Sequence, residues 1–143
     1  MVDQVIVPLI AYEDGMQAMA WLCHAFGFRE RRRFLDDDGS LSHSELEYNG
    51  ALVMLSTPSP DYESPRTHRQ HCEQARRVAE LPWTIDGVLV YVRDIDAHYA
   101  RAVDAGAAIL TPLTADDYGR LYRAEDLEGH RWMFLEPPKA PAE

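Results

Sequence analysis

An internal duplication is the feature of this sequence that most restricts its fold. Three pairs of residues recur at nearly one offset: Gly27 with Gly106 and Gly50 with Gly129 at 79 residues, and Asp14 with Asp94 at 80 residues. In each half, the aspartate precedes apolar residues at helical spacing and the first glycine follows them. The second glycine lies in a turn between two strand-like runs. A site in such a chain is expected to use equivalent positions of both copies.

Each half predicts the element order β-α-β-β-β. In the first half, strands are predicted over 5–11, 28–35, 41–48 and 51–56, and a helix over 15–26. We therefore predict one α+β domain over 1–143, with module one at 4–57, an inserted loop and helix at 58–86, and module two at 87–137. Within the insert, Ser64 and Pro65 are typical of a helix start, which predicts one helix over 66–80.

Composition limits the partners and the cellular location. The net charge is −10, which argues against nucleic acid, because binding to a phosphate backbone depends on clustered Lys and Arg. The apolar runs are too short for a membrane helix, and the first residues lack the basic start of a secretory signal. Two cysteines form no disulfide framework, so we expect a cytoplasmic protein.

Two motifs carry a family resemblance that covers residues 5–136. Each module begins with a strand, an aspartate, a helix and a glycine (IVPLIAYED…AFGF and VLVYVRDIDAHYARAVDAGA), and the chain finishes with YGRLYRAEDLEGHRWMF. This pattern resembles the vicinal oxygen chelate superfamily, and it is most similar to the small glyoxalase/bleomycin-resistance-like members. The resemblance implies a fold in which each module curls its sheet into half of a cup, often completed by a second subunit. We accordingly expect a homodimer.

The resemblance also implies where a metal would be bound. In metalloenzymes of the superfamily, His, Gln or Glu ligands occupy one position on the first strand and one on the last strand of each module. The corresponding residues here are Val7, Met54, Gly87 and Met133. None offers an imidazole or a carboxylate, and a thioether is a weak donor to hard or borderline ions. We expect neither a metal nor another cofactor at these positions.

The inferred inner surface of the cup supplies the remaining candidates, because side chains alternate along strands. The candidate ligand-binding residues are His43, Glu45, Met54, Trp83, Tyr91, Tyr118, Arg131 and Met133. His43 is also the candidate catalytic residue, since Glu45 or Glu47 could complete an acid–base pair with it. The alternative for these three is a solvated strand face, and for Arg131 a salt bridge. Trp132 and Phe134 are predicted to face the helices and form core.

Three functional hypotheses remain from the sequence. The first is a metal-independent small-molecule-binding protein that sequesters an antibiotic or a similar ligand. The second is an enzyme: a metal-dependent lyase, isomerase or dioxygenase with relocated ligands at His43, Glu47 and either His68 or His71, or a metal-free proton transfer by His43. The third is a protein-interaction module whose cup is empty. Retention of the fold motif without the four ligand positions favours the first.

Overall fold

The computed structural model describes residues 4–83 and 85–139 of the chain. The first five elements are β1 (Leu9–Ala11), α1 (Gly15–Phe26), β2 (Arg29–Leu35), β3 (Leu41–Tyr48) and β4 (Ala51–Ser56). Two short helices follow, α2 (Pro65–His68) and α3 (Glu73–Ala79). The last five are β5 (Gly87–Tyr91), α4 (Ile95–Asp104), β6 (Ala108–Asp116), β7 (Gly119–Glu125) and β8 (Arg131–Glu136). Both halves have the β-α-β-β-β order that the duplication predicts.

The strands form two sheets of identical topology. Their strand orders are β1-β4-β3-β2 and β5-β8-β7-β6, and in each sheet the first strand runs parallel to its neighbour. The registers also match: Leu9 lies opposite Met54, and Leu89 lies opposite Met133. The predicted α+β fold with two equivalent modules is therefore confirmed.

The duplicated aspartates begin the two long helices, as predicted. The Asp14 side chain accepts a hydrogen bond from the Gln17 backbone N–H at 3.0 Å, and Asp94 accepts one from the Ala97 N–H at 3.2 Å. Each carboxylate satisfies an N–H group that the first helical turn leaves without a partner. The local sequence alone is thus sufficient to start both helices.

One hydrophobic core joins the two modules. Helices α1 and α4 contact each other, and each also covers one face of its own sheet. The largest buried side chains of this core come from both modules and include Tyr12, Phe26, Tyr122, Trp132 and Phe134. Burial of Trp132 and Phe134 confirms their prediction as core residues. Because the helices lie on the inner faces of the sheets, the other face of each sheet points away from the core.

A buried histidine connects the modules within this core. His98 of α4 donates from Nε2 to the Phe26 carbonyl at 2.8 Å, and its Nδ1 accepts from the Tyr122 hydroxyl at 2.6 Å. Burial lowers the pKa of His98 from its ordinary value, and the nearby Arg101 cation acts in the same direction. Arg101 also donates to the carbonyls of Cys23 and His24 at the end of α1. The neutral imidazole and this arginine hold α4 against α1.

Three predicted boundaries are wrong. The single helix over 66–80 is two helices, because Cys72 adopts an extended conformation and neighbouring residues bond to module two: the Arg66 N–H to the Glu128 carbonyl, and Arg69 to Glu125. The first strand begins at Leu9 rather than residue 5, directly after a proline that has no N–H for the ladder. The sequence predicts a strand over 107–112 and a loop over 115–117, whereas strand β6 runs from Ala108 to Asp116.

Among the described residues, no helix is long and apolar enough to cross a membrane.

Candidate ligand-binding site

The two outward sheet faces expose large apolar side chains. Leu9 in β1 is 64% exposed, and its equivalent Leu89 in β5 is 47% exposed. Tyr91, two residues further along β5, is 61% exposed. Because alternate strand residues point to opposite faces, these side chains share the outward face while Ile10, Val88 and their neighbours pack against the core. The strand alternation that predicted Tyr91 on the cup surface is consistent with this arrangement.

A cleft continues this apolar surface towards module one. It has a volume of about 290 Å³ and lies between β4 and β5. Leu89 and Tyr91 line it on one side, and Tyr48 and Leu52 on the other. Met54 and Met133 do not line this cleft. Their neighbours along the strands are buried in the core, so strand alternation places both methionines on the outward faces.

The surroundings of the two methionines do not suit a divalent metal. Met54 lies between Leu9 and Glu45 in its sheet, and Met133 lies between Leu89 and Arg123. Two of the four metal positions thus hold thioethers, each with a leucine on one side; the other neighbour is a carboxylate for Met54 and an arginine cation for Met133. Hard cations require oxygen or imidazole ligands, and a neighbouring positive charge opposes their binding. The residues present do not fit the metal of the superfamily.

The polar residues of module one are engaged by arginines of the neighbouring strand. His43, Glu45 and Glu47 of β3 share the outward face. The Glu47 carboxylate accepts a hydrogen bond from Arg29 at 2.9 Å, which lowers the pKa of Glu47 below its ordinary value. Glu45 lies 3.9 Å from the Arg31 guanidinium. These pairs neutralise both carboxylates within the module.

The residues named for a relocated metal site do not form one cluster in the described part of the chain, although the rings of His68 and His71 lie 5.6 Å apart. His43 lies opposite Ser56 with its ring 5.6 Å from that of Phe34. His71 in the insert contacts Glu63 at 2.7 Å. Across the described ranges 4–83 and 85–139, no group of three or more His, Cys, Asp and Glu side chains is arranged to hold a metal ion.

Arg131 attaches the insert to the outward face of module two. It is 8% exposed, and its guanidinium donates to the carbonyls of Ala79, Leu81 and Trp83 at 2.8, 2.6 and 2.5 Å. Glu125 lies 3.7 Å from its Nε. Burial lowers the pKa of Arg131 from its ordinary value, while Glu125 opposes that shift. This guanidinium binds the end of α3 and leaves few N–H groups for a ligand.

Trp83 and Tyr118, two aromatic candidates for ligand binding, occupy different places. Trp83 is exposed, and its carbonyl is held by Arg131 at the edge of the module-two face. Tyr118 is exposed in the turn between β6 and β7, where its backbone N–H donates to Asp116 at 2.7 Å. Trp83 is thus fixed next to the outward face through its backbone, whereas the hydrogen bond of Tyr118 lies within its own turn.

A buried carboxylate supports the site from behind. Asp126 is fully buried, and its Oδ2 accepts from the Tyr12 hydroxyl at 2.6 Å and from the Trp132 indole at 3.0 Å. Its Oδ1 accepts from the backbone N–H groups of Glu128 and His130 at 3.0 and 3.1 Å. Burial, and then the negative charge of Asp126, raise the pKa of Tyr12 well above its ordinary value. This network ties the β7–β8 hairpin to the residue that follows β1.

Arg123 is the residue on the module-two face that the sequence reasoning missed. It lies directly opposite Met133, on the same side of β7 as Glu125. The signal was available, because the predicted turn at 126–129 fixes which residues of the two strands face each other. Because β7 pairs with β8 across this turn, strand alternation places Arg123 on the same surface of the cup as Met133.

Comparisons with known proteins agree with this fold. A family model described as the Glyoxalase/Bleomycin resistance protein/Dioxygenase superfamily matches residues 4–134. An uncharacterized protein of Mycobacterium tuberculosis (strain ATCC 25618 / H37Rv) is 30% identical over 138 residues, covering 95% of this chain and 76% of that protein. TioX from Micromonospora sp. ML1 is 32% identical, with a TM-score of 0.69 over 97% of this chain and 100% of its own. TnmS3, an antibiotic binding protein from Streptomyces sp. CB03234, shares the fold at 19% identity and a TM-score of 0.64, covering 96% of this chain and 100% of that one.

Proposed function

This chain belongs to the Glyoxalase/Bleomycin resistance protein/Dioxygenase superfamily, and on that premise we propose that it binds a small organic molecule without a metal ion. The ligand lies in a cup formed by the outward face of one module and the corresponding face of a second subunit. The protein then acts as a cytoplasmic homodimer that sequesters an antibiotic or a similar molecule.

The observation that carries this proposal is the exposed apolar surface on both modules. Leu9, Leu89 and Tyr91 are exposed on sheet faces that point away from the core. Contiguous apolar surface is unusual on a soluble monomer and is typical of interaction and ligand-binding sites. A cup assembled from two such faces would bury these side chains around an apolar ligand.

The replacement of metal ligands supports a binding function over metal chemistry. Met54 and Met133 are flexible, polarisable side chains that adapt to apolar ligands. An aromatic ligand has Tyr91 for stacking on the face and Trp83 at its edge. The description of TnmS3 as an antibiotic binding protein points to the same ligand class.

A thermal-shift screen tests the proposal directly. The panel contains aromatic and cationic antibiotics and small oxoacids, each with EDTA and with added divalent metals. We expect at least one antibiotic to stabilise the protein equally in both conditions, by about 2.7 kcal/mol at one hundred times its dissociation constant. Stoichiometric metal in protein purified without chelators, or stabilisation that requires added metal, would contradict it.

A pair of charge substitutions tests the position of the site and the dimer. Leu89→Arg places a charge on the outward face, whereas Val103→Arg places the same charge at an exposed position of α4. Light scattering after size exclusion should give twice the chain mass for wild type and Val103→Arg. Leu89→Arg should weaken both dimerisation and antibiotic binding. Equal behaviour of the two variants would remove the outward face from consideration.

A further inference from the structure

The module-two face carries a cation, Arg123, that has no carboxylate partner among the described residues. Arg123 is half-buried, and one of its N–H groups donates to the Thr111 hydroxyl at 3.3 Å. The Thr111 hydroxyl in turn donates to the Pro82 carbonyl at 2.7 Å. In the part of the chain that the structure describes, no carboxylate oxygen lies within 4.0 Å of the Arg123 guanidinium. A guanidinium has five N–H donors, so most of them remain available.

The acid next to Arg123 along the outward side of β7 is already paired with other arginines. Glu125 lies two residues along β7 from Arg123 and pairs with Arg69 at 2.7 Å and with Arg131 at 3.7 Å. These four side chains, Glu125 with Arg69, Arg123 and Arg131, together carry a net positive charge, although the whole chain carries a net charge of −10. On the module-one face, by contrast, Glu45 and Glu47 each have an arginine partner.

Apolar side chains lie across from Arg123 and in the next row on one side of it. Leu89, Met133 and Arg123 are consecutive partners across β5, β8 and β7. In the next row, Leu121 and Leu135 are paired and buried, although they lie outside the main core cluster. A partly desolvated cation in apolar surroundings favours binding of an anion, because water competes poorly there.

We propose that Arg123 binds the anionic group of an amphipathic ligand whose apolar body lies on Leu89, Met133 and Tyr91. The ligand class is an aromatic or similarly apolar organic molecule with one carboxylate, sulfonate or phosphate group. This inference rests on the proposed function, and it assigns the charge of the ligand and the residue that recognises it.

Two fluorescent probes that differ by one anionic group test this assignment. The first is 1-anilinonaphthalene-8-sulfonate, and the second is N-phenyl-1-naphthylamine, which has the same ring system without the sulfonate. Titration of wild type should give saturable binding of both probes and tighter binding of the sulfonate. A charge-assisted hydrogen bond to the sulfonate corresponds to about a tenfold difference in dissociation constant.

Three variants separate the charge from the fold. Arg123→Gln should lose the roughly tenfold preference while keeping its affinity for the neutral probe, and Arg123→Lys should keep part of the preference. Arg76→Gln removes the same charge from an exposed position of α3 and should behave as wild type. Circular dichroism and melting curves establish that each variant is folded.

The outcomes distinguish the role of Arg123 from the proposed small-molecule-binding function on which it rests. If neither probe binds wild type saturably, the apolar cup itself is wrong, and both proposals fall. If wild type binds both probes and Arg123→Gln keeps the preference for the sulfonate, only the role of Arg123 is overturned. Loss of dimerisation by Arg123→Gln with an unchanged sulfonate preference would instead assign Arg123 to the subunit interface, and would also overturn the inference.

Discussion

The hairpin turns at equivalent places in the two modules differ in length and in surroundings. In module one, Asn49 and Gly50 connect β3 to β4 at the surface, with φ values of 48° and 87°. In module two, residues 126–130 connect β7 to β8, and Gly129 has a φ of 91° and is buried. The first turn only reverses the chain. The second is packed against module one and the insert.

The contacts of the module-two turn explain why it is buried. The Glu128 carboxylate accepts from the backbone N–H groups of Glu13 and Asp14 at 2.6 and 3.0 Å, where module one enters α1. Its carbonyl accepts from the Arg66 N–H at 3.0 Å. One turn therefore holds the approach to α1 and the first turn of α2 together. Duplicated sequence supplies the hairpin, and side chains present in only one copy give it a structural role.

Removal of the buried Asp126 carboxylate should produce the largest difference in stability between variants of the two turns. Asp126→Ala leaves two side-chain and two backbone donors without their acceptor, and we expect a loss of about 3 kcal/mol or more in the free energy of unfolding, measured with urea. The last carboxylate before the turn in module one belongs to Glu47, which is partly exposed and paired with Arg29. Glu47→Ala should leave the melting temperature nearly unchanged. Similar losses in the two variants would mean that the turns are equally important.

The two turn glycines provide a steric comparison with a smaller expected effect. A methyl group at residue 50 meets nothing within 4 Å, whereas at residue 129 it lies 2.9 Å from the Arg66 backbone nitrogen and 3.3 Å from the Pro65 side chain. Gly50→Ala should cost about 1 kcal/mol from its left-handed conformation alone. Gly129→Ala should cost about 1 to 3 kcal/mol more because the insert must move. Equal losses in the free energy of unfolding, measured with urea, would show that the insert moves away from residue 129 at no energetic cost.

A pH dependence should distinguish the helices of the two modules. His98 in α4 corresponds to Ala18 in α1. Because the folded pKa of His98 is below 6.5, the unfolded chain takes up a proton first as the pH falls. The stability from His98 is therefore complete above about pH 6.5 and is lost as the pH decreases through the folded pKa, by at most about 1.4 kcal/mol per pH unit. The non-titrating variant His98→Gln should have a shallower slope between pH 7 and 5, and an unchanged slope would exclude His98 as its source.

Local sequence determined the parts of the fold that were predicted correctly. Asp14 and Asp94 cap their helices with their own side chains, and Asn49 and Gly50 adopt the positive φ angles that their residue types favour. The insert was predicted less well because its path depends on bonds to module two. Arg69 reaches Glu125, and no pattern within residues 66–80 indicates that contact.

From the sequence, strand alternation could predict which residues of the candidate site share a sheet face, but not how the two faces are oriented or which groups the arginines bind. Alternation placed Met133 and Tyr91 on one face, and the offset between the modules identified the vacant metal positions. The orientation of the two faces depends on the packing of α1 against α4, which is a tertiary contact. The roles of Arg131 and Arg123 depend on which neighbours take up their donors, and strand position alone does not contain that information.

The opposed chemistry of Glu45 and Arg123 has an evolutionary consequence. Glu45 lies opposite Met54 in module one, and Arg123 lies opposite Met133 in module two. An ancestor built from separate copies of a single module would carry the same side chain at both positions, since one codon would specify both. Fusion of the two copies in one gene gives each position its own codon. A mutation can then change the residue at this position in one module without changing the equivalent residue in the other.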